Sequence, residues 1–163
     1  MQIKEIMTHP AVSCPVSATA DDAARLMWEF DCGIVLVVDD DGQLAGVITD
    51  RDICMAAYTQ GVGLAAIPVT SAMARQVVAA HLDDTVESVE SLMQTSQIRR
   101  VPVLDLDNRL AGIVAINDIA RLAARAHRNG VDRGLLKTMA AVCRPRANAT
   151  VSQPDVIEHP IAV

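Results

Sequence analysis

Residues 46–53 read Gly-Val-Ile-Thr-Asp-Arg-Asp-Ile, an apolar run that breaks into a Thr-x-x-Asp step. The branched apolar residues predict a buried strand, and a Thr followed three residues later by an acid predicts the first turn of a helix. Residues 112–119 repeat this stretch as Gly-Ile-Val-Ala-Ile-Asn-Asp-Ile. The same strand-to-helix junction is therefore expected twice in the chain.

The repeat extends well beyond this junction. At the same offset, the chain aligns without a gap from Met7 with Met73 to Ala57 with Ala123. Identical residues occupy the aligned pairs Val12/Val78, Thr19/Thr85, Leu26/Leu92, Met27/Met93, Val37/Val103, Asp39/Asp105, Leu44/Leu110, Gly46/Gly112 and Asp52/Asp118. Such a duplication predicts one structural unit built twice, with a pseudo-two-fold axis and a cleft between the copies.

Composition limits the class of protein. With 163 residues, 51% of them hydrophobic, the chain can bury the core of one compact domain or of two small ones in contact. No apolar run approaches the roughly 18 residues of a membrane-spanning helix, and residues 1–10 have no apolar signal-peptide core. We therefore expect a cytoplasmic protein with no membrane segment.

The cysteines and the charge exclude further classes. Cys14, Cys32, Cys54 and Cys143 form neither a Cys-x-x-Cys pair nor a zinc-ligand spacing with the histidines, so reduced cysteines used for packing are expected. A net charge of −6 disfavours nucleic-acid binding, and one Trp, one Tyr and one Phe cannot form a base-stacking surface. No hydrolase, P-loop or metalloprotease motif is present, so no enzyme is expected.

Periodicity and turn residues predict the order strand, helix, strand, strand, helix in each copy. The expected fold class is α/β (α+β), with two β-α-β-β-α repeats in one compact module. In the first copy we expect strands at residues 11–13, 33–39 and 43–49, a helix from Thr19 and a helix at 51–58. In the second copy we expect strands at residues 77–80, 101–104 and 110–115, and helices at 85–94 and 116–127.

The expected units are residues 1–64 and 65–128, with residues 1–8 as an amphipathic segment that packs on the module. Residues 129–143 are expected to form a further helix, with its apolar residues on one side, that docks on the module or on a second subunit. Those residues are Leu135, Leu136, Met139 and Ala140. Residues 144–163 contain three prolines and no periodicity, which is typical of a mobile, disordered tail.

The two copies, in register with the Gln-Ile-Arg-Arg-Val-Pro-Val stretch at residues 97–103, resemble a tandem cystathionine-β-synthase (CBS) domain pair, or Bateman module. The resemblance covers residues 1–127. It implies a regulatory module, commonly a homodimer, that binds an adenosyl ligand such as AMP, ADP, ATP or S-adenosylmethionine between its repeats. It implies no obligatory cofactor, and it implies regulation of an attached or associated protein.

The main candidate cleft lies at the first Thr-x-x-Asp step. The start of a helix directs free N–H groups and the positive end of its dipole outward, which favours phosphate. The resemblance implies that Asp52 accepts hydrogen bonds from the ribose hydroxyls and that Thr49 reaches the α-phosphate. Thr49 and Asp52 equally fit a capping box, in which both side chains only satisfy the N–H groups of the helix.

The resemblance also implies that each cleft is crossed, because the short strand and the pre-hairpin segment of the other repeat complete it. The other repeat so contributes Val78, Ile98, Arg99 and Arg100 to the main cleft, and Val47 comes from the same repeat as Thr49. The three aliphatic side chains are expected to hold adenine, and the arginines to meet phosphate. The arginine pair also fits a solvated surface loop, and Arg51, a further phosphate candidate, also fits a surface ion pair.

The second cleft departs from the pattern, because Ala115 stands where the first repeat has Thr49. The residues assigned to it are Val12, Ser13, Cys32, Gly33, Ile34, Ile113 and Asp118. With neither the hydroxyl nor an arginine pair in the crossed segment, we expect a weaker site that suits a nucleoside-like ligand or none.

Two other functions remain open from the sequence. A ligand-free dimerisation or scaffold module would use Thr49 and Asp52 only as helix caps. Single-stranded nucleic-acid binding is disfavoured by the charge and by the small number of aromatic residues. The sequence identifies neither the adenosyl compound nor the regulated protein.

Overall fold

The computed structural model describes residues 1–126 and 133–143. Within them lie two three-stranded sheets in the orders β1-β2-β3 and β4-β5-β6. The strands are β1 (Ser13–Pro15), β2 (Ile34–Val38), β3 (Leu44–Thr49), β4 (Ala80–His81), β5 (Arg100–Leu104) and β6 (Leu110–Ala115). In each sheet the first strand is parallel to the second, and the second is antiparallel to the third.

The helices pack against these sheets. They are α1 (Ala20–Glu29), α2 (Asp50–Gln60), α3 (Val69–Ala72), α4 (Val86–Ser96), α5 (Ile116–Ala126) and α6 (Arg133–Val142). Short 3-10 turns occupy Ile3–Glu5 and Leu64–Ala66. Thr19, Thr49 and Thr85 cap α1, α2 and α4 with their hydroxyl oxygens, which explains why these helices begin after a threonine.

The irregular features of the backbone repeat as well as the regular ones. The register shifts after Val37 in the first hairpin and after Val103 in the second. Asp39 Oδ1 accepts hydrogen bonds from the N–H groups of two residues of its own turn, and Asp105 does the same. The structure therefore confirms a duplicated mixed fold, and it shows that the two aspartates stabilise equivalent turns.

The two repeats exchange their first segments. Residues 1–8 pack on the second repeat, where Ile3 is fully buried, its N–H donates to the carbonyl oxygen of Asp84, and Thr8 pairs with Ile113. Reciprocally, Ile67, Val69 and Met73 lie in the core of the first repeat. Each half of the module thus encloses a segment that precedes the other half's first strand, which ties the halves together.

Some sequence expectations were wrong in detail. The short strands begin later than predicted, at Ser13 and Ala80, because residues 11–12 and 77–79 bridge from the exchanged segments into the sheets. All four cysteines are free, but Cys54 on α2 and Cys143, directly after α6, are exposed and are not packing residues.

The docking of α6 also differs from the expected single apolar side. Leu135 and Val142 pack on the second core, while Leu136 and Met139 are exposed. Thr138, fully buried, accepts a hydrogen bond from Gln94 of α4 at 2.9 Å. Residues 127–132 and the expected tail at 144–163 lie outside the described residues.

Candidate ligand cleft

Thr49 and Asp52 form a capping box at the start of α2. Asp52 Oδ2 accepts hydrogen bonds from the Thr49 N–H at 2.9 Å and from the Thr49 hydroxyl at 2.7 Å, while Thr49 Oγ accepts from the Asp52 N–H at 3.3 Å. Both donors of Thr49 thus converge on one carboxylate oxygen. Asp52 Oδ1 receives no hydrogen bond from the part of the chain that the structure describes, so an acceptor remains at the helix N-terminus.

The same box occurs at α1, where Asp22 Oδ2 accepts from the N–H and hydroxyl of Thr19 at 3.0 and 2.8 Å. These hydrogen bonds, with the nearby Arg25, hold the pKa of Asp22 below its ordinary value. The start of α1, however, is covered: the Ala20 N–H donates to the carbonyl of Ile67, and the Val69 N–H donates to the carbonyl of Ala18. A capping box alone therefore does not mark a ligand site.

The exchanged segment brings the second repeat to β3. Val47 and Ala74 exchange two backbone hydrogen bonds, at 3.0 and 2.8 Å. The chain then continues past Val78, which is 36% exposed, into β4. Residues 74–78 therefore lead from the strand that ends in Thr49 into the second sheet, and the contact of Val78 with a ligand stays a prediction.

Ile98, Arg99 and Arg100 lie where β5 begins. Arg100 pairs with Ala115 across the second sheet, and the Arg99 carbonyl accepts a hydrogen bond from the Ile116 N–H at 2.9 Å. Their backbone contacts are therefore made within their own repeat. Both arginines are exposed, and neither they nor Arg51 forms an ion pair within residues 1–126 and 133–143.

The second cleft has the reciprocal layout. Thr8 exchanges hydrogen bonds with Ile113 at 2.8 and 3.1 Å, and the chain then continues through Val12 and Ser13 into β1. Ile34 pairs with Thr49 inside the first repeat, just after Cys32 and Gly33. Ser13 also lines a depression of about 240 Å³ with His9 and Leu110, at the hairpin end of the sheets.

Asp118 is engaged differently from Asp52. Its Oδ2 accepts the Ala115 N–H at 2.6 Å, and its Oδ1 forms an ion pair with Arg121. The side chain of Asp118 is 4% exposed, whereas that of Arg121 is 63% exposed. Sequence reasoning missed Arg121, although the signal was present: the aligned residue of the first repeat is Met55.

A family model described as CBS domain matches residues 3–58 and again residues 69–125. The chain belongs to the CBS domain family. The CBS domain-containing protein YhcV of Bacillus subtilis (strain 168) is 36% identical over 118 residues, which are 72% of this chain and 82% of that protein. The tandem CBS pair predicted from the duplicated motifs is confirmed.

Solved structures share the fold. The CBS domain pair of protein MJ0100 in complex with 5′-methylthioadenosine and S-adenosyl-L-methionine is 29% identical, with a TM-score of 0.70, over 78% of this chain and 98% of that one. Hypoxic Response Protein I, solved with two coordinated zinc ions, is 29% identical, with a TM-score of 0.68, over 74% and 98%. The architecture of this chain is thus that of CBS pairs.

Residues 1–126 and 133–143 contain neither a metal-binding cluster nor a membrane-spanning helix. No group of three or more His, Cys, Asp or Glu side chains there is placed to hold a metal ion. Among the helices assigned in those ranges, none combines the length and the apolar character needed to cross a bilayer.

Proposed function

We propose that this chain is a regulatory module that binds an adenosyl ligand between its CBS repeats and signals its occupancy to a partner protein. The candidates are AMP, ADP, ATP and S-adenosylmethionine. The observation that carries the proposal is the unused Oδ1 of Asp52 at the N-terminus of α2, beside the segment that crosses from the other repeat. The MJ0100 pair, 29% identical, holds two adenosyl compounds, which supports this ligand class.

Each residue of the proposed site has a role that its chemistry suits. The Oδ1 of Asp52 accepts hydrogen bonds from the ribose hydroxyls. The positive end of the α2 dipole attracts phosphate, and the Thr49 hydroxyl, whose proton goes to Asp52 in this structure, donates to that phosphate once it turns away from Asp52. The exposed guanidinium groups of Arg99, Arg100 and Arg51 lack carboxylate partners in the described residues, which leaves them for phosphate or for a carboxylate of the ligand. Val47, Val78 and Ile98 pack on the adenine ring.

A thermal-shift screen tests the proposal. The panel is AMP, ADP, ATP, S-adenosylmethionine, NAD and a single-stranded oligonucleotide. A ligand at 100 times its Kd raises the free energy of unfolding by about 2.7 kcal/mol, so a true ligand gives a clear rise in Tm. A rise with an adenosyl compound supports the sensor, and a rise with the oligonucleotide alone contradicts it. If no compound raises Tm, the module binds no adenosyl ligand.

The second candidate function is a ligand-free dimerisation or scaffold module. It is favoured by the exposed aromatic residues on the helices of the first repeat: Trp28 of α1 is 88% exposed and Tyr58 of α2 is 81% exposed. Trp28 aligns with Gln94, which donates a hydrogen bond to Thr138 of α6 in the second repeat. The face that α6 occupies in one repeat is thus aromatic in the other, and we propose that it forms a homodimer interface.

The proposed location is the cytoplasm, where adenosyl compounds report energy and methylation state. The regulated protein is sought by pull-down from a cell extract with the tagged chain, with and without the ligand that raises Tm. Proteins retained in only one of the two conditions are candidates for the partner, and each is tested again against Asp52→Ala.

A further inference from the structure

The two clefts differ in what holds their carboxylates. In the first repeat, Thr49 supplies two hydrogen bonds to a single oxygen of Asp52, and the second oxygen is left unused within the described residues. In the second repeat, Ala115 supplies one backbone hydrogen bond to Asp118, and Arg121 supplies the other partner. Arg121 thus takes the carboxylate oxygen that corresponds to the unused one of Asp52.

We propose that Arg121 is a specificity-determining residue that keeps the second cleft closed to the diol of a nucleoside by occupying the carboxylate of Asp118. The proposal rests on the adenosyl-binding function proposed above. With Arg121 in place, each oxygen of Asp118 has a donor and the side chain is 4% exposed. A carboxylate has about four acceptor sites, so what excludes the diol is this burial: a diol reaches Asp118 only after the guanidinium moves aside, and that displacement weakens binding.

The position of Arg121 suits such a role. It lies one helical turn after Asp118, so the two side chains are neighbours on α5. Its own side chain is 63% exposed, and it can therefore leave the carboxylate without being withdrawn from a core. The first repeat has Met55 at the aligned position, where no ion pair with Asp52 is possible.

Once Arg121 no longer pairs with Asp118, the ligand that suits the second cleft is a nucleoside without phosphate. Ala115 provides no hydroxyl where Thr49 provides one, so a phosphate has one donor fewer at the start of α5. The ribose diol remains matched to Asp118, because a carboxylate accepts from two hydroxyls at once. Arg121 therefore decides whether the second cleft binds, and Ala115 decides what it prefers.

The experiment is calorimetric titration with adenosine in an Asp52→Ala background, which weakens the first cleft. Arg121→Met gives the second repeat the residue of the first, and Arg121→Gln is a polar second variant in case the first fails to fold. We expect either variant to bind adenosine at least about tenfold more tightly at the second cleft, a change of about 1.4 kcal/mol. 2′-Deoxyadenosine, which lacks one hydroxyl, should gain less.

Arg25→Met is the matched control, because Arg25 also follows an aspartate, Asp22, by three residues in a capped helix. It should leave adenosine binding unchanged. Adding Asp118→Asn to Arg121→Met should remove the gain. Unchanged or weaker adenosine binding in both Arg121 variants overturns the inference, even if AMP binds the first cleft. If Asp52→Ala alone abolishes adenosine binding and the added Arg121→Met restores it, the inference is supported independently of binding at the first cleft.

Discussion

The sulfur atom of Met73 lies 2.6 Å from the point that a Cβ atom on Gly46 would occupy. The carbonyl oxygen of Ala74 lies 2.9 Å from the same point, so backbone as well as side chain fills this space. Gly112 has the same relation to Met7 and to the carbonyl of Thr8. Neither glycine has a positive φ. Both are required because the exchanged segments pass directly over the strands, where any side chain would push them away.

Gly46→Ala should therefore destabilise the module. The added methyl group meets backbone that is hydrogen-bonded to Val47 and cannot move without breaking that pairing. Insertion of a methyl group into a packed site costs about 1–3 kcal/mol, and urea unfolding measures this as a lower midpoint. Gly112→Ala should behave alike.

The control for this prediction is Gly63→Ala. Gly63 has φ −66° and nothing within 4 Å of an added Cβ. Replacement there should be neutral or stabilise by up to about 1 kcal/mol, because alanine restricts the unfolded chain. Equal losses of stability at positions 46 and 63 would show that the crossing segment does not constrain Gly46.

The exchange of segments marks the limit of what the sequence predicts. The offset between the repeats is enough to predict the duplicated fold, both hairpins and the Thr49 and Asp52 junction, because local patterns specify those elements. Nothing local indicates that Ile3 belongs to the second core and Ile67 to the first. Both cores consist of the same kinds of apolar side chain, so hydrophobicity alone does not choose between them.

The candidate site likewise contains residues that the local sequence predicts and one that it does not. Thr49 and Asp52 are predictable because a Thr-x-x-Asp step indicates the start of a helix. Arg121 was missed because its effect depends on Ala115, which lacks the hydroxyl that fixes the carboxylate in the first repeat. Only the comparison of two aligned positions, Met55 with Arg121, contains that information.

The cysteines should differ strongly in reactivity. Cys14 is 4% exposed, and burial, with the negative charge of Asp22 second, raises the pKa of its thiol. Because the thiolate is the reactive form, Cys14 should react slowly at mildly alkaline pH. Cys54 and Cys143 are exposed and should react first.

Timed alkylation with iodoacetamide, followed by peptide mass spectrometry, measures the order. The urea-unfolded chain serves as the control, in which the three rates should converge. Modification of Cys14 as fast as that of Cys54 in the folded protein would contradict the buried position of the Cys14 side chain.

Trp28→Gln tests the proposed homodimer interface by giving α1 the residue that α4 has at the aligned position. An exposed aromatic side chain of this size contributes strongly when an interface buries it, so the variant should shift the dimer towards the monomer of 17.4 kDa. Light scattering over a dilution series measures the mass. Leu106→Gln is the control, because Leu106 is 90% exposed and lies in the turn between β5 and β6, not on a helix. A wild-type chain that is already monomeric, or equal effects of both variants, would rule this interface out.

Asp52→Ala should weaken binding of the adenosyl ligand far more than Asp118→Ala. It removes a charged acceptor for the ribose hydroxyls, which is worth about 1.5–3 kcal/mol, or roughly ten- to hundredfold in affinity. It also removes a helix cap worth about 0.5–2 kcal/mol of stability, so affinity is measured by calorimetry well below the Tm of the variant. Asp22→Ala provides the matched control, because it breaks the same capping box on α1, where the exchanged segment covers the helix start. Asp22→Ala should lower Tm and leave the Kd unchanged. Equal affinity losses from Asp22→Ala and Asp52→Ala would mean that the capping box acts only through stability, and the scaffold function would then be preferred.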